Sequence, residues 1–424
     1  MSREGGFFSN LDWLTVFLYF ILVTLGWFNI YASIYDPVQD LSILDFSINS
    51  GKQLLWIGSS AVLIIVILLL DFRIYESIAP LLYGVFIVLL IAVVIVGKEI
   101  NGAKAWFQFG AFRLQPSELT KFATALLLAR YVSTNSVKLT QFKSQMTAFL
   151  IMLFPVGLIM LQPDLGSALI FFSFMIPIFR EGLPPIYLIA GLSLVIVGTL
   201  TIILPIQTIA IILGSVGVVW VLLTLKSIKN ILLTLLIVGA SIGFASGFHY
   251  AFENVLPKYQ RDRILVIFYP DIVDPQGAGY NLNQSKIAIG SGGFAGKGFL
   301  DGTQTKFDFV PEQSTDFIFS TLAEEHGWLG STFIIALFIG LMMRIVFIAE
   351  RQKSQFARVY GYSIAGIIFF HFTINIAMTI GLFPVVGIPL PFFSYGGSSL
   401  WSFTIMLFVL LKIDMHRAQV LMRG

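Results

Sequence analysis

Long apolar runs alternate with short polar intervals along almost the whole chain. A run such as LLWIGSSAVLIIVILLL suits lipid far better than water, and about 20 such residues in a helix cross the ~30 Å hydrocarbon of a bilayer. The pattern predicts about twelve helical spans. They fall at residues 12–33, 52–71, 77–97, 118–132, 147–162, 166–180, 185–204, 206–225, 230–248, 329–349, 359–382 and 396–413. The fourth, fifth and sixth runs are shorter than a full crossing. Because the runs are continuous rather than alternating, a transmembrane β-barrel is excluded. The expected fold is an all-α polytopic membrane protein, with residues 1–424 forming one integral membrane domain. The first run, LDWLTVFLYFILVTLGWFNIYAS, is too long for a signal-peptide core and lacks a small-residue cleavage site, so it is expected to stay as a span.

Composition agrees with the pattern. Charged residues make up 12% of the chain and aromatics 15%, with a mean hydropathy of +0.88, against roughly a quarter charged in soluble domains. There is no cysteine, which excludes disulfides and thiolate metal sites. The net charge of +3 carries no nucleic-acid signal and is informative only through its distribution. With the N-terminus inside, Arg3, Arg73, Arg130, Lys138, Lys143, Arg180, Lys226, Lys229, Arg344, Arg351, Lys353, Arg358, Lys412, Arg417 and Arg423 all fall on the cytoplasmic side. The opposite short loops are poorer in Lys and Arg, and the 34–51 loop carries Asp36, Asp40 and Asp45 instead. The positive-inside rule therefore predicts cytoplasmic termini. It also places the long interval 249–315, which contains no predicted span, outside. A polar interval of this length is usually functional.

Four outward-facing stretches hold most of the unusual residues. In 101–121, Lys104, Trp106, Arg113, Glu118 and Lys121 lie close in sequence, and Pro116 with Ser117 marks a helix start. Glu118 and Lys121 share a helical face at i, i+3. Trp106 alone would read as an interfacial anchor, and the Glu–Lys pair reads equally as a structural ion pair or as part of a site. In QPDLGSA, Asp164 either caps a short turn or shares a cavity with other acids. In DIVDPQGAGY, Asp271 and Asp274 precede a turn that glycines permit, with Arg261 and Arg263 upstream and Lys286 downstream. An acid held among basic residues suits an anionic substrate: the carboxylate takes a proton from an attacking hydroxyl while cations hold a phosphate leaving group. The last stretch, FPVVGIPLPFFSYGGSS, has three prolines and cannot be continuous helix. It reads as a re-entrant or lid-like loop, with Ser394 and Ser398 as candidate binding groups. His371 and Asn375, at i, i+4, read as interhelical hydrogen-bonding groups rather than metal ligands. SGGFAGKG lies outside a strand–helix setting, so a phosphate-loop reading fails, and no Walker A or HExxH motif is present.

Taken together, GAKAWFQFGAFRLQPSELTK, QPDLGSA, YQRDR, DPQGAGYNLNQSKIAIGSGGFAGKG, FVPEQSTDFIF…AEEHGWLG and PVVGIPLPFFSYGGSS closely resemble the SEDS family (shape, elongation, division and sporulation proteins). IAIGSGGFAGKGFLDGTQ resembles the elongation type more than the division type. The resemblance runs from about residue 100 to the C-terminus. It implies a glycosyltransferase of the bacterial inner membrane that polymerises lipid II into peptidoglycan during elongation. It further implies a class B penicillin-binding protein as partner and the elongation machinery as setting. The family's essential aspartate falls on Asp274, with Asp271 as companion. Its functional glutamate, lysine and tryptophan fall on Glu118, Lys121 and Trp106. Family members have about ten spans, so 185–248, with apolar sequence for three helices where about one is usual, reads as a two-helix insertion that preserves parity.

The residues and the resemblance meet on one expected mechanism. An α-linked diphosphate donor and a β-linked product call for inverting displacement, with Asp274 as base. Lys104, Arg113, Lys121, Arg261 and Arg263 are candidate diphosphate ligands. No cofactor is required by these motifs, although a divalent cation (Mg²⁺ or Mn²⁺) between diphosphate and Asp274 is compatible with them. Two other readings stay open: a lipid II flippase, which should line a through-membrane path with charge, and a non-catalytic scaffold for the transpeptidase.

Overall fold

The computed structural model describes residues 10–36, 42–100, 102–110, 112–224, 227–270, 277, 279–307 and 309–417. Arg3, Asp40, Lys226, Asp271, Asp274 and Arg423 lie outside the described residues. The chain begins with α1 (Trp13–Ser33), α2 (Asn49–Leu69) and α3 (Phe72–Val96). Three strands follow, β1 (Lys98–Ile100), β2 (Ala103–Phe109) and β3 (Phe112–Leu114), and then α4 (Pro116–Val132) and α5 (Phe142–Met160). Next come α6 (Leu165–Ile170), a 3-10 turn over Phe171–Phe174, α7 (Met175–Arg180), α8 (Ile186–Ile203), α9 (Ile206–Leu223), α10 (Ile228–Asn254) and α11 (Lys258–Phe268). The chain closes with α12 (Tyr280–Ser291), α13 (Thr303–Lys306), α14 (Ile318–Glu350), α15 (Gln355–Thr379) and α16 (Gly397–Met415).

Among the described residues, ten helices are long and apolar enough to cross a membrane: α1, α2, α3, α5, α8, α9, α10, α14, α15 and α16. The chain is a polytopic helical membrane protein. At the fourth and sixth predicted positions stand α4, with 17 residues, and the apolar stretch Leu165–Arg180. The fifth helix reaches 19 residues, because its first turn takes in the polar Lys143, Ser144 and Gln145 that the hydropathy reading left out. The interval 249–315 holds more structure than a loop: α10 runs on to Asn254, and α11, α12 and α13 follow.

One element departs from the helical pattern. β1, β2 and β3 form an antiparallel sheet in that order, with Lys98 opposite Trp106 and Gln108 opposite Arg113. The stretch AKAWFQF carries a period-two pattern too short to register beside the apolar runs. The strands satisfy backbone groups that an irregular loop would leave open near lipid.

Contacts divide the chain into two compact units, Met1–Leu183 with Asn281–Gly424, and Pro184–Tyr280. In the first unit α16 is the most enclosed helix, with 83% of its apolar window buried against 17% for α3. Apolar surface gives little drive between helices in lipid, so close approach and polar contacts hold them. At Gly166 the 383–396 loop approaches α6 so tightly that a Cβ would lie 2.4 Å from the Val386 carbonyl oxygen. Asp12 caps α1 by accepting from the Thr15 amide at 3.1 Å. It also receives Arg344 at 2.6 Å and Arg351 at 3.0 Å. In the second unit, α8, α9 and α10 pack Val197, Ile209 and Ala245 together with Leu200, Leu213 and Phe244. The Tyr269 hydroxyl donates to the Ile203 carbonyl at 2.9 Å.

Candidate active site

The first turn of α4 builds the centre of the site. Pro116 at the helix start has no N–H to lose there and fixes φ, and Glu118 follows where its charge complements the helix dipole. The same turn directs Glu118 and Lys121 inward, leaving them 3% and 0% exposed. Lys121 Nζ donates to Glu118 Oε1 at 2.8 Å and stands 2.7 Å from His371 Nε2 on α15. Phe403 of α16 closes the third side, its ring centroid 5.5 Å from the ammonium. A buried charge persists only when it is paired and hydrogen-bonded, and here carboxylate, imidazole and ring all serve one ammonium. Glu118 Oε2 has no partner among the described residues.

A ring of backbone-directed hydrogen bonds fixes this centre. Ser402 donates to the Glu118 carbonyl at 2.6 Å. Ser398 donates to the Arg113 carbonyl at 3.0 Å and accepts from the Gln115 amide at 3.3 Å. Gln115 Nε2 donates to Asp164 Oδ2 at 2.8 Å, while Asp164 Oδ1 caps α6 through the Ser167 amide at 2.9 Å. Asp164 is thus a cap and also a neighbour of the α4 entry. Ser394 locks the proline-rich loop, accepting from the Leu390 amide at 2.8 Å and donating to the Thr315 carbonyl at 2.6 Å. Asn375 donates to the Asp316 and Ile388 carbonyls at 2.9 and 2.7 Å. His371 is an interhelical hydrogen-bonding group, as its spacing suggested, whereas Asn375 bonds to loop carbonyls rather than to another helix. What sequence reasoning missed is that both reach the same loop and that His371 joins the Glu118–Lys121 pair. Two polar residues one turn apart, followed by a proline-rich loop, were the available signal.

The remaining candidates are spread more widely. Lys104 is partly exposed and donates to the Ile95 carbonyl at the end of α3 at 2.9 Å. Trp106 sits on β2 and the exposed Arg113 on β3. Lys286 is exposed on α12. That helix is anchored by Ser285, whose hydroxyl lies 2.7 Å from the Ser320 hydroxyl and 2.8 Å from the Thr379 carbonyl. Arg261 and Arg263 belong to the second unit, where Arg261 pairs with Glu253 at 3.0 Å and Arg263 lies over the Tyr259 ring. Burial raises the Tyr395 phenol above its ordinary range, with Trp56 and the Arg113 charge working in the opposite direction. Among the described residues no group of three or more His, Cys, Asp or Glu could hold a metal ion. The expected cation rests on Asp274, outside them.

A second polar cluster escaped the sequence reading. Buried Glu324 on α14 accepts from Lys297 Nζ at 2.7 Å, from the Gln304 amide at 2.8 Å and from the Thr305 amide at 3.0 Å. The lysine of SGGFAGKG is therefore spent on a carboxylate within the fold. Beside it α14 breaks at Gly327, with φ +59°, and the 293–298 segment splints the break. Trp328 and Leu329 amides donate to the Gly293 and Phe294 carbonyls, and Lys297 and Gly298 amides donate to those of Glu324 and Glu325.

The family model for FtsW, RodA and SpoVE, described as "cell cycle protein", matches residues 12–211 and 196–419. The chain belongs to this family. It is 34% identical over 380 residues to the peptidoglycan glycosyltransferase MrdB of Escherichia coli K12, covering 89% of this chain and 87% of that one. It is 31% identical over 431 residues to the peptidoglycan glycosyltransferase RodA of Treponema pallidum, covering 96% and 98%. Among solved structures it is similar to a chain from a study of how a peptidoglycan synthase complex coordinates polymerization and crosslinking. That match has a TM-score of 0.72 and 28% identity over 96% of this chain and 99% of the other. The rod-shape-determining protein RodA of Thermus thermophilus gives a TM-score of 0.63 and 26% identity, covering 96% and 97%.

Proposed function

We propose that this chain is a peptidoglycan glycosyltransferase of the elongation type, joining the sugars of lipid II into glycan strands. The observation that carries this reading is the buried Glu118–Lys121 pair, 2.8 Å apart at the entry of α4, in a chain whose relatives MrdB and RodA are named for that activity. Intramembrane ion pairs are costly and mark function.

The chemistry follows from the substrate. An incoming sugar hydroxyl attacks the anomeric carbon of the donor and loses its proton to a base, the bond to the diphosphate breaks, and the diphosphate leaves with the electron pair. Asp274 is the proposed base and Asp271 its companion. Cationic groups offset the charge that grows on the leaving diphosphate. Exposed Arg113 and partly exposed Lys104 can reach a ligand as they stand, and Arg261 and Arg263 are further candidates. Lys121 is engaged by Glu118 and His371 and is proposed to organise the α4 entry rather than to contact the diphosphate. A divalent ion, when bound with Asp274, would supply further charge compensation to the diphosphate.

The setting is the bacterial cytoplasmic membrane, with both termini inside and 249–315 outside, supported by the Lys and Arg distribution. The partner is a class B penicillin-binding protein, supported by the synthase-complex structure to which the chain is similar. The test is polymerisation of purified lipid II by the wild type and by Asp274→Asn, each with its partner, with translocation scored in the same vesicles. Glycan from the wild type and none from a folded, partner-bound variant is expected. Wild-type rates in the variant would remove Asp274 from the chemistry, and translocation without polymerisation would favour a flippase.

A further inference from the structure

Lys121 is answered by a carboxylate on one side and by an imidazole on the other. His371 Nδ1 lies 3.1 Å from the Pro389 carbonyl oxygen, which can only accept, so Nδ1 carries the proton. In a neutral ring this leaves Nε2 as an acceptor, 2.7 Å from the Lys121 ammonium. A doubly protonated ring would set two donors face to face and bury a second positive charge beside the first. Phe403 makes an edge contact with His371, ring centroids 4.8 Å apart, and fixes the ring plane. His371 is 1% exposed, so water does not compete for either nitrogen.

We infer that His371 is a positioning residue for the transfer reaction, one that holds the Lys121 ammonium against Glu118 and ties both to Pro389 of the proline-rich loop. The inference rests on the function proposed above. Through this link a shift of the 383–396 loop moves an ammonium on α4, although loop and lysine share no direct hydrogen bond. A purely structural role would need only the Nδ1 link to the loop, whereas a positioning role needs the Nε2 link to Lys121.

Two substitutions separate the links. In His371→Gln the side-chain oxygen reaches the place of Nε2 and can accept from Lys121. In His371→Asn the shorter amide reaches the place of Nδ1 and can donate to Pro389, leaving Lys121 without its acceptor. Full-length protein with its transpeptidase partner would be assayed on lipid II, with thermal unfolding confirming the fold. The expected result is kcat for His371→Gln at least about 10-fold above that for His371→Asn, with KM little changed, as for a group that aligns reacting parts. Any other order, or wild-type kcat in both, overturns the positioning role. A substrate-free readout stands beside it. Ring ¹⁵N shifts of His371, identified by subtraction of the His371→Gln spectrum, should show a protonated Nδ1 and a bare Nε2 that moves in Lys121→Met. A protonated Nε2 in the wild type overturns the assignment. A wild type that makes no glycan sinks the transferase reading and the positioning role together. Failure of the kcat order with an active wild type sinks the positioning role alone.

Discussion

At Lys121 a single ammonium is shared by three elements, and its removal should be felt by all of them. Lys121→Met leaves Glu118 buried without its counter-charge. Breaking a buried pair from one side costs about 3–5 kcal/mol, whereas removing both charges costs much less. The expectation is a marked drop in thermal stability for Lys121→Met, and recovery of much of that drop in the double variant Glu118→Gln/Lys121→Met, with polymerisation lost in both. Melting in detergent and a lipid II assay check it. Equal melting temperatures for the single and double variants would show that the pair is not coupled. The i, i+3 spacing made the pairing legible in sequence, but His371, 250 positions along, entered only when α4 and α15 packed together.

At the scale of elements, the break in α14 matters more than its length. Across STLAEEHGWLG the structure has helix on both sides of a glycine with φ +59°. A Cβ at Gly327 would stand 2.3 Å from the Gly296 amide nitrogen and 2.9 Å from the Gly293 carbonyl oxygen. Gly327→Ala therefore suffers both backbone strain and collision with the splinting segment, a loss above about 1 kcal/mol. Faster hydrogen exchange at 293–298 and 324–329 is the expected sign. Protection equal to the wild type would show that the break tolerates a side chain. The alternation of AKAWFQF was visible in the sequence, though too short to predict the small sheet. The splint was not, because its donors and acceptors come from two separated stretches.

For the whole molecule, two expectations concern how the helices are tied and how they lie. Asp12, Arg344, Arg351 and Asp414 link α1, α14 and α16 in one network. Burial opposes ionisation of Asp12, but hydrogen bonds from Arg344 and Thr15 outweigh it and bring its pKa from 3.8 down to about 2. A depressed carboxylate contributes its full stability above the unfolded-state value and loses it as pH falls through the folded one. Asp12→Asn should thus melt below the wild type at neutral pH, with the gap closing between about pH 4 and pH 2. A gap independent of pH would assign the loss to packing instead. Orientation can be read because the chain has no cysteine. In right-side-out vesicles a membrane-impermeant maleimide should label Lys286→Cys and spare Lys353→Cys, both positions being exposed. The reverse pattern would invert the proposed topology.

What the sequence determined alone was the solvent and the helices, because a run of apolar side chains has one favourable environment whatever its neighbours. It also determined the entry of α4, where Pro116, Glu118 and Lys121 fall within the first two turns. The tertiary structure decided which polar groups meet. Lys297, in a stretch with no functional reading of its own in the sequence, is held by Glu324. Ser394 and Ser398 looked like binding groups, and both hydroxyls are engaged by backbone. His371 looked like an ordinary interhelical contact and stands against the buried lysine. Each outcome depends on a partner far along the chain, and a hydrogen bond reaches only about 3 Å, so no local pattern could have named it.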